Sequence, residues 1–158
     1  MAASSTTQGK LYFIALGSLE RLEVQFVPEE LQLSRVPSVQ QVEIVGQNLP
    51  KLQHQGGERR LSLELDFYAS DENREDVITK CLWLESLTYR SGVDTPAERV
   101  RLVFGKLFNR DVWMVKSVNY RLKQFDKKYG FLPCQAYVAI ELAHDGASEM
   151  KASDIKRF

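Results

Sequence analysis

Two cysteines and two histidines are all that 158 residues offer of the side chains that most often bind metals or attack substrates. Cys81 and Cys134 stand far apart and in no Cys-x-x-Cys pairing, which excludes a disulfide framework or a zinc pattern. Both read as reduced thiols, Cys81 in the core. His54 and His144 lie in different regions, each without a ligand-spaced neighbour, so no metal and no cofactor are expected. No apolar run approaches the roughly 20 residues that span a bilayer. The opening "MAASSTTQGK" has no hydrophobic signal core. A protein kept soluble in a reducing compartment, away from membranes, is expected. Net charge is missing as well. Lys plus Arg and Asp plus Glu stand at 21 each, so there is no overall pull toward nucleic acid or an anionic surface.

Catalytic signatures are equally scarce. No G-x-S-x-G occurs. Gly56-Gly57 runs into a strand rather than a helix N-terminus, so it is not a phosphate loop. Its expected role is backbone freedom in a turn entering that strand. Cys81 falls on the apolar stripe of a helix, where a thiol stays protonated and inert. Glu64 and Asp66 share one strand face, about 6.6 Å apart. They are the one carboxylate pair placed for acid–base work. A hydrolase using Glu64 and Asp66 is therefore kept as an alternative, and so is a ligand-binding barrel with an apolar pocket. Basic and aromatic residues mix around 120–129, a composition that can hold single-stranded nucleic acid. Asp126 interrupts that cluster, and a hairpin tip that touches protein is the preferred reading.

What the chain does have is alternation. "LYFIAL" (11–16) reads as a buried strand, and Leu22, Val24 and Phe26 form a half-buried one that Pro28 ends. Residues 28–38 are expected to be a loop crossing an edge, with Leu31 and Leu33 tucked inward. Val42 and Ile44 begin another strand. Residues 46–60 read as a long polar loop that orders on contact. Leu61, Leu63, Leu65 and Phe67 define the cleanest strand. Ser70 and Asp71 cap a helix that should run to about Tyr89, roughly 27 Å long. Its apolar stripe is Val77, Ile78, Cys81 and Leu82, extending to Leu84 and Leu87. Val100, Leu102 and Phe104 form a strand stopped by Gly105. In "VWMVKSVNYRLKQF" the apolar parity switches near Lys116–Ser117, which predicts a β-bulge or a strand that changes sheets. "DKKYG" (126–130) is a hairpin turn, and Ala136, Val138, Ile140 and Leu142 face inward on the last strand.

The expected fold is mainly β (α+β): a small barrel or sandwich of about seven strands with one mid-chain helix. Residues 1–9 are a flexible arm, 10–144 the domain and 145–158 a polar tail. The outward positions Glu23, Gln25, Glu43, Glu64 and Asp66 include no cation, and form a candidate acidic-to-neutral lumen face should copies close into a ring.

The ordered segments "LERLEVQFVPEEL", "LPKLQHQGGERRLSLELDFYAS", "VFGKLF" and "VKSVNYRLKQFDKKYGFLPCQAYVAIEL" resemble the tube-like domain of contractile injection system proteins, over roughly residues 9–144. Phe26 and Pro28 match that family's turn, with Val27 in place of its Asn. Gly56, Gly57, Arg60, Leu61, Leu63, Leu65 and Phe67 match its glycine-and-strand signature. Phe125, Gly130, Pro133 and Ala136 match its late hairpin. Cys134-Gln135 departs from the pattern. The resemblance is strongest to LysM-type baseplate adaptors, but 14 residues after the last strand are too few for a LysM module, so glycan binding is not expected.

The resemblance implies a non-enzymatic structural protein of a bacteriophage contractile tail or related injection system. It would be an adaptor joining the inner tube to the baseplate hub and spike, usually in a hexameric ring. Tube or terminator subunit is the alternative. Implied partners are copies of itself, the tube protein and hub or spike proteins, with DNA only as passing cargo. The implied location is the virion tail, assembled in the host bacterial cytoplasm. Contacts are expected at Phe26, Pro28, Gln47, Asn48, Lys51, Gln53, Gly56, Gly57, Arg60, Lys123, Lys127 and Tyr129.

Overall fold

The computed structural model describes residues 10–90, 92–108 and 111–145. The expected N-terminal arm and most of the polar tail lie outside them. Seven strands and one helix follow in order: β1 (Leu11–Ala15), β2 (Arg21–Glu23), β3 (Leu31–Val42), β4 (Lys51–Tyr68), α1 (Asp76–Ser86), β5 (Val100–Phe104), β6 (Trp113–Asp126) and β7 (Leu132–His144). The chain is mainly β with one helix. All seven strands belong to one antiparallel sheet in the order β2-β1-β5-β6-β7-β4-β3.

The sheet is open: β2 and β3 end it, and no ladder joins them. In place of a closed barrel there is a curled sheet with a seam. At the seam the Tyr68 amide donates to Gln25 Oε1 at 2.8 Å, and the Phe26 and Tyr68 rings meet edge to face at 5.7 Å. The sheet is also nearly cut in two. β5 and β6 share a single residue pair, Val100 with Trp113. This leaves β6-β7-β4-β3 as a continuous four-stranded sheet.

One face of the curl holds the core. Alternation puts Leu61, Leu63, Leu65 and Phe67 of β4 inside, opposite Leu142, Ile140, Val138 and Ala136 of β7. Leu11, Phe13, Leu102 and Trp113 complete it from the other strands. α1 lies over this face against β7 and β6, burying Val77, Cys81 and Leu84, with Leu87 just beyond. Each such aliphatic side chain contributes about 1.5–3 kcal/mol of transfer free energy. The helix is shorter than its polar flanks suggest. Residues 70–75 turn without becoming helical, so Ser70 and Asp71 do not cap it; Glu75 occupies the N-cap without a side-chain bond. Leu82 is 49% exposed, outside the stripe.

The parity switch in β6 is a bulge. Val115 pairs with Leu142 and Ser117 with Glu141, which leaves Lys116 unopposed. Beyond it Val118, Tyr120 and Leu122 pack on the core. The hairpin after β6 turns through Lys127–Tyr129, where the Asp126 side chain accepts from the Lys128 amide, and closes at Gly130 with φ 67°.

Two expected loops are strands. Residues 31–42 and 51–60 pair with each other in a long hairpin. β7 joins β4 only from Arg60 onward. The nine residues 51–59 therefore have β3 alone as a strand neighbour, which makes an arm roughly 30 Å long. From Gln32 to Val42 every residue of β3 is exposed, Leu33 included. Gly56 and Gly57 belong to this arm rather than to a turn. Pro37 pairs with Gly57 and Val39 with His54, so β4 carries an extra residue there, and Gly56 meets the bulge with φ 102°.

Candidate assembly interface

The four-stranded sheet presents its second face to solvent. On this face β4 contributes Ser62, Glu64 and Asp66. β7 contributes Tyr137, Ala139 and Glu141, and β6 contributes Ser117, Asn119, Arg121 and Lys123. Polar residues dominate because none of the described residues covers them. Shallow hollows of about 290 and 790 Å³ lie along the face, and the larger is lined by Glu64, Asn119, Arg121, Lys123 and Tyr137. The Tyr137 phenol is held above its usual range, first by its hydrogen bond to Glu64, then by burial and by the nearby carboxylates, with Arg121 opposing.

At the arm's base the charges are paired. Glu58 accepts from Lys116 Nζ at 2.7 Å and from Arg60 at 2.7 Å, and Arg60 reaches Glu141 at 3.3 Å. The two cations keep the Glu58 carboxyl below its usual range, Lys116 first and Arg60 second. The bulged Lys116 is thereby tied to β4 across the sheet.

The residues singled out from sequence fall in three places. Gln47, Asn48, Lys51, Gln53, Gly56, Gly57 and Arg60 all lie on the arm or its base. Gln47 closes the tip through its amide to the Ile44 carbonyl at 3.1 Å. Phe26 and the half-buried Pro28 lie at the seam. Lys123, Lys127 and Tyr129 lie at the β6–β7 hairpin. There the Arg74 guanidinium stacks 4.5 Å from the Tyr129 ring centre and bonds Asp71 at 2.9 Å, pinning the hairpin to the pre-helix turn.

The structure does not bring the five candidate lumen residues together. Glu64 and Asp66 share the outer face. Glu23 sits on β2 in an ion pair with Lys10 at 2.6 Å, Gln25 closes the seam, and Glu43 lies at the arm tip. The outer face also carries cations that sequence reading did not place on it, Arg121, Lys123 and Arg60. Their signal was available: the Lys116 bulge fixes the parity of everything after it.

Glu64 and Asp66 stand on an open face rather than in a cleft. Among the described residues no three His, Cys, Asp or Glu side chains cluster to hold a metal. His144 Nε2 lies 3.1 Å from Asp111 Oδ1, and its ring packs edge to face on buried Trp113, a structural setting. Burial pushes the Cys81 thiol up to about 11. No described helix is long and apolar enough to cross a membrane.

What the surface has in quantity is strand edge and exposed aliphatic area. β3 and β6 both bound the four-stranded sheet, one 12 and the other 14 residues long. On the arm Val36 is 73% exposed and Leu49 79%. An isolated two-stranded ribbon is marginally stable in water, and long edges are templates for further pairing.

No protein-family profile and no curated protein matches the chain. Among solved structures it is similar to a chain in the C6-symmetric tail of an empty gene transfer agent particle, with 14% identity and a TM-score of 0.44, over 90% of this chain and 96% of that one. It is similar to a chain of the sixfold-symmetrised anti-feeding prophage baseplate, with 15% identity and a TM-score of 0.43, over 92% and 94%. A chain of the native gene transfer agent virion aligns with 12% identity and a TM-score of 0.42, over 96% and 100%.

Proposed function

We propose that this chain is a structural subunit that joins copies of itself edge to edge into a ring. Within a contractile tail or related injection machine, that ring is an adaptor between the inner tube and the baseplate hub or spike. The observation that carries the reading is the open four-stranded sheet with two long edges, β3 and β6. Four alternating strands leave those edges antiparallel to each other. A head-to-tail neighbour therefore extends the sheet with antiparallel pairing throughout, and a heterologous contact of this kind closes into a ring when its rotation allows. Closure also removes both edges, the common solution to exposed strand templates. The outer face of β6-β7-β4-β3 becomes the wall of the lumen, polar and near neutral, past which DNA moves as cargo. The arm and the β6–β7 hairpin leave the sheet at opposite ends and are free to contact tube and hub partners.

The family resemblance read from sequence supplies the tail context, the sixfold copy number and the virion location after assembly in the bacterial cytoplasm. The test is sedimentation and negative-stain imaging of the purified chain, alone and with tube and hub proteins. Rings of uniform diameter, in multiples of 18.1 kDa, are expected. Long tubes formed by the chain alone would make it a tube subunit instead. A monomer at every concentration, indifferent to those partners, would overturn the reading.

A further inference from the structure

We propose that adjacent copies recognise one another by opposite charge, Arg121 and Lys123 on β6 of one copy meeting Glu30 at the start of β3 of the next. The inference rests on the edge-to-edge ring and specifies what makes its edges fit.

The outer face is polarised from side to side. Glu30 borders the face with Gln32, and Glu64 and Asp66 lie one strand in from that edge. Arg121 and Lys123 lie on the opposite edge, and β7 between them presents Tyr137 and Ala139, which carry no charge. Strands stand about 4.8 Å apart, so Glu64 and Asp66 on β4 are two such steps from Arg121 and Lys123 on β6, with the uncharged β7 residues between them. Among the described residues none of Glu30, Glu64, Asp66, Arg121 and Lys123 forms an ion pair, while Glu58, Arg60, Lys116 and Glu141 nearby are all paired. In a ring, β6 of one copy lies directly beside β3 of the next.

The register brings the right residues level. Asn119 pairs with Ala139, Ala139 with Glu64, and Leu31 with Leu63. Continuing the β3–β4 register by one residue puts Glu30 beside Glu64. Glu30 and Asn119 thus end the same row at opposite edges. Arg121 is one same-face step beyond Asn119, about 6.6 Å, and Lys123 one step further. With no stagger between copies, Glu30 stands diagonal to Arg121, within reach of a long side chain. A closed barrel staggers its strands, and a stagger of two or four residues sets Glu30 directly opposite Arg121 or Lys123. Such pairing fixes which edges meet and in what register, and it discriminates against like edges.

Charge reversal in the full chain tests this. Arg121→Glu with Lys123→Glu, and separately Glu30→Lys, are each expected to weaken ring formation at least tenfold by sedimentation velocity. The milder Arg121→Gln with Lys123→Gln should weaken it less. A chain carrying all three reversals swaps the polarity of both edges and is expected to assemble again near the original concentration. Association of the unaltered chain should also weaken between 50 and 500 mM NaCl, a change that shortens the Debye length roughly threefold. Rings that form unchanged in the reversed variants, or fail to return in the triple variant, would overturn the charge pairing and leave the ring itself standing. An unaltered chain that stays monomeric at every concentration and salt would remove both.

Discussion

Gly57 faces Pro37 across the arm so closely that a Cβ on Gly57 would stand 2.7 Å from Pro37 Cα and 2.8 Å from the Val36 carbonyl oxygen. Backbone cannot yield as the end of a flexible side chain does, so Gly57→Ala forces the two strands apart. Gly56→Ala meets no neighbour but must hold φ 102°, a strain of about 1–3 kcal/mol. Both substitutions are expected to act on the arm alone. Amide exchange should quicken across 35–42 and 51–59, while the protection of β7 and the unfolding midpoint of the body stay put. Loss of protection in β7 as well would mean that arm and body open together.

The core strand should behave differently. Phe67→Ala is expected to cost about 3–5 kcal/mol and Leu63→Ala about 2–5 kcal/mol in urea unfolding, because each leaves a cavity between β4, β7 and α1. Leu49→Ala at the exposed arm tip should stay within about 0.5 kcal/mol. Equal losses at both positions would contradict the burial described above.

The seam depends on one side chain. Gln25→Ala removes the acceptor of the Tyr68 amide and is expected to cost about 0.5–1.5 kcal/mol, with faster exchange at Tyr68 and a looser β2 edge. Gln25→Glu keeps an acceptor there and should keep most of the protection.

Alkaline pH should expose Cys81. Burial favours its neutral thiol, so its folded value of about 11 lies above the ordinary one. The contribution is whole below about pH 8.5 and is lost as pH rises toward 11. Half-buried Tyr120 and the face residue Tyr137 are also shifted upward and add to the decline at the top of that range. The difference between the unaltered chain and Cys81→Ala isolates the thiol. Stability of the unaltered chain should fall more steeply from pH 9 to 11, and parallel curves would refute the assignment.

Much of the body was legible in the sequence, and the arm was not. Leu61 to Phe67 and Ala136 to Leu142 alternate because one side of each strand is buried, and burial is what writes a period of two. The Lys116 bulge could be read for the same reason: a strand packed on a core cannot change parity silently. β3 has no buried side over most of its length, so Val36, Val39 and Val42 follow no strand rhythm, and Pro37 with the two glycines imitates a loop. The helix was overestimated because polar residues at 70–75 satisfy turns as readily as a first helical turn. The interface residues were half legible. The arm residues fell together, whereas Arg121 and Lys123 became wall residues only once register showed which way β6 points.

That single extra residue in β6 behaves like a frameshift written in side chains instead of codons. Upstream of it odd-numbered positions are interior; downstream, even-numbered ones are. Excise Lys116 and Val115 runs directly into Ser117, so inside and outside alternate without a break from Trp113 to Leu122 and each residue keeps its partner on β7. A deletion there is thus predicted to cost little beyond the ion pair of Lys116 with Glu58, whereas removing Asn119 instead misaddresses every side chain that follows it.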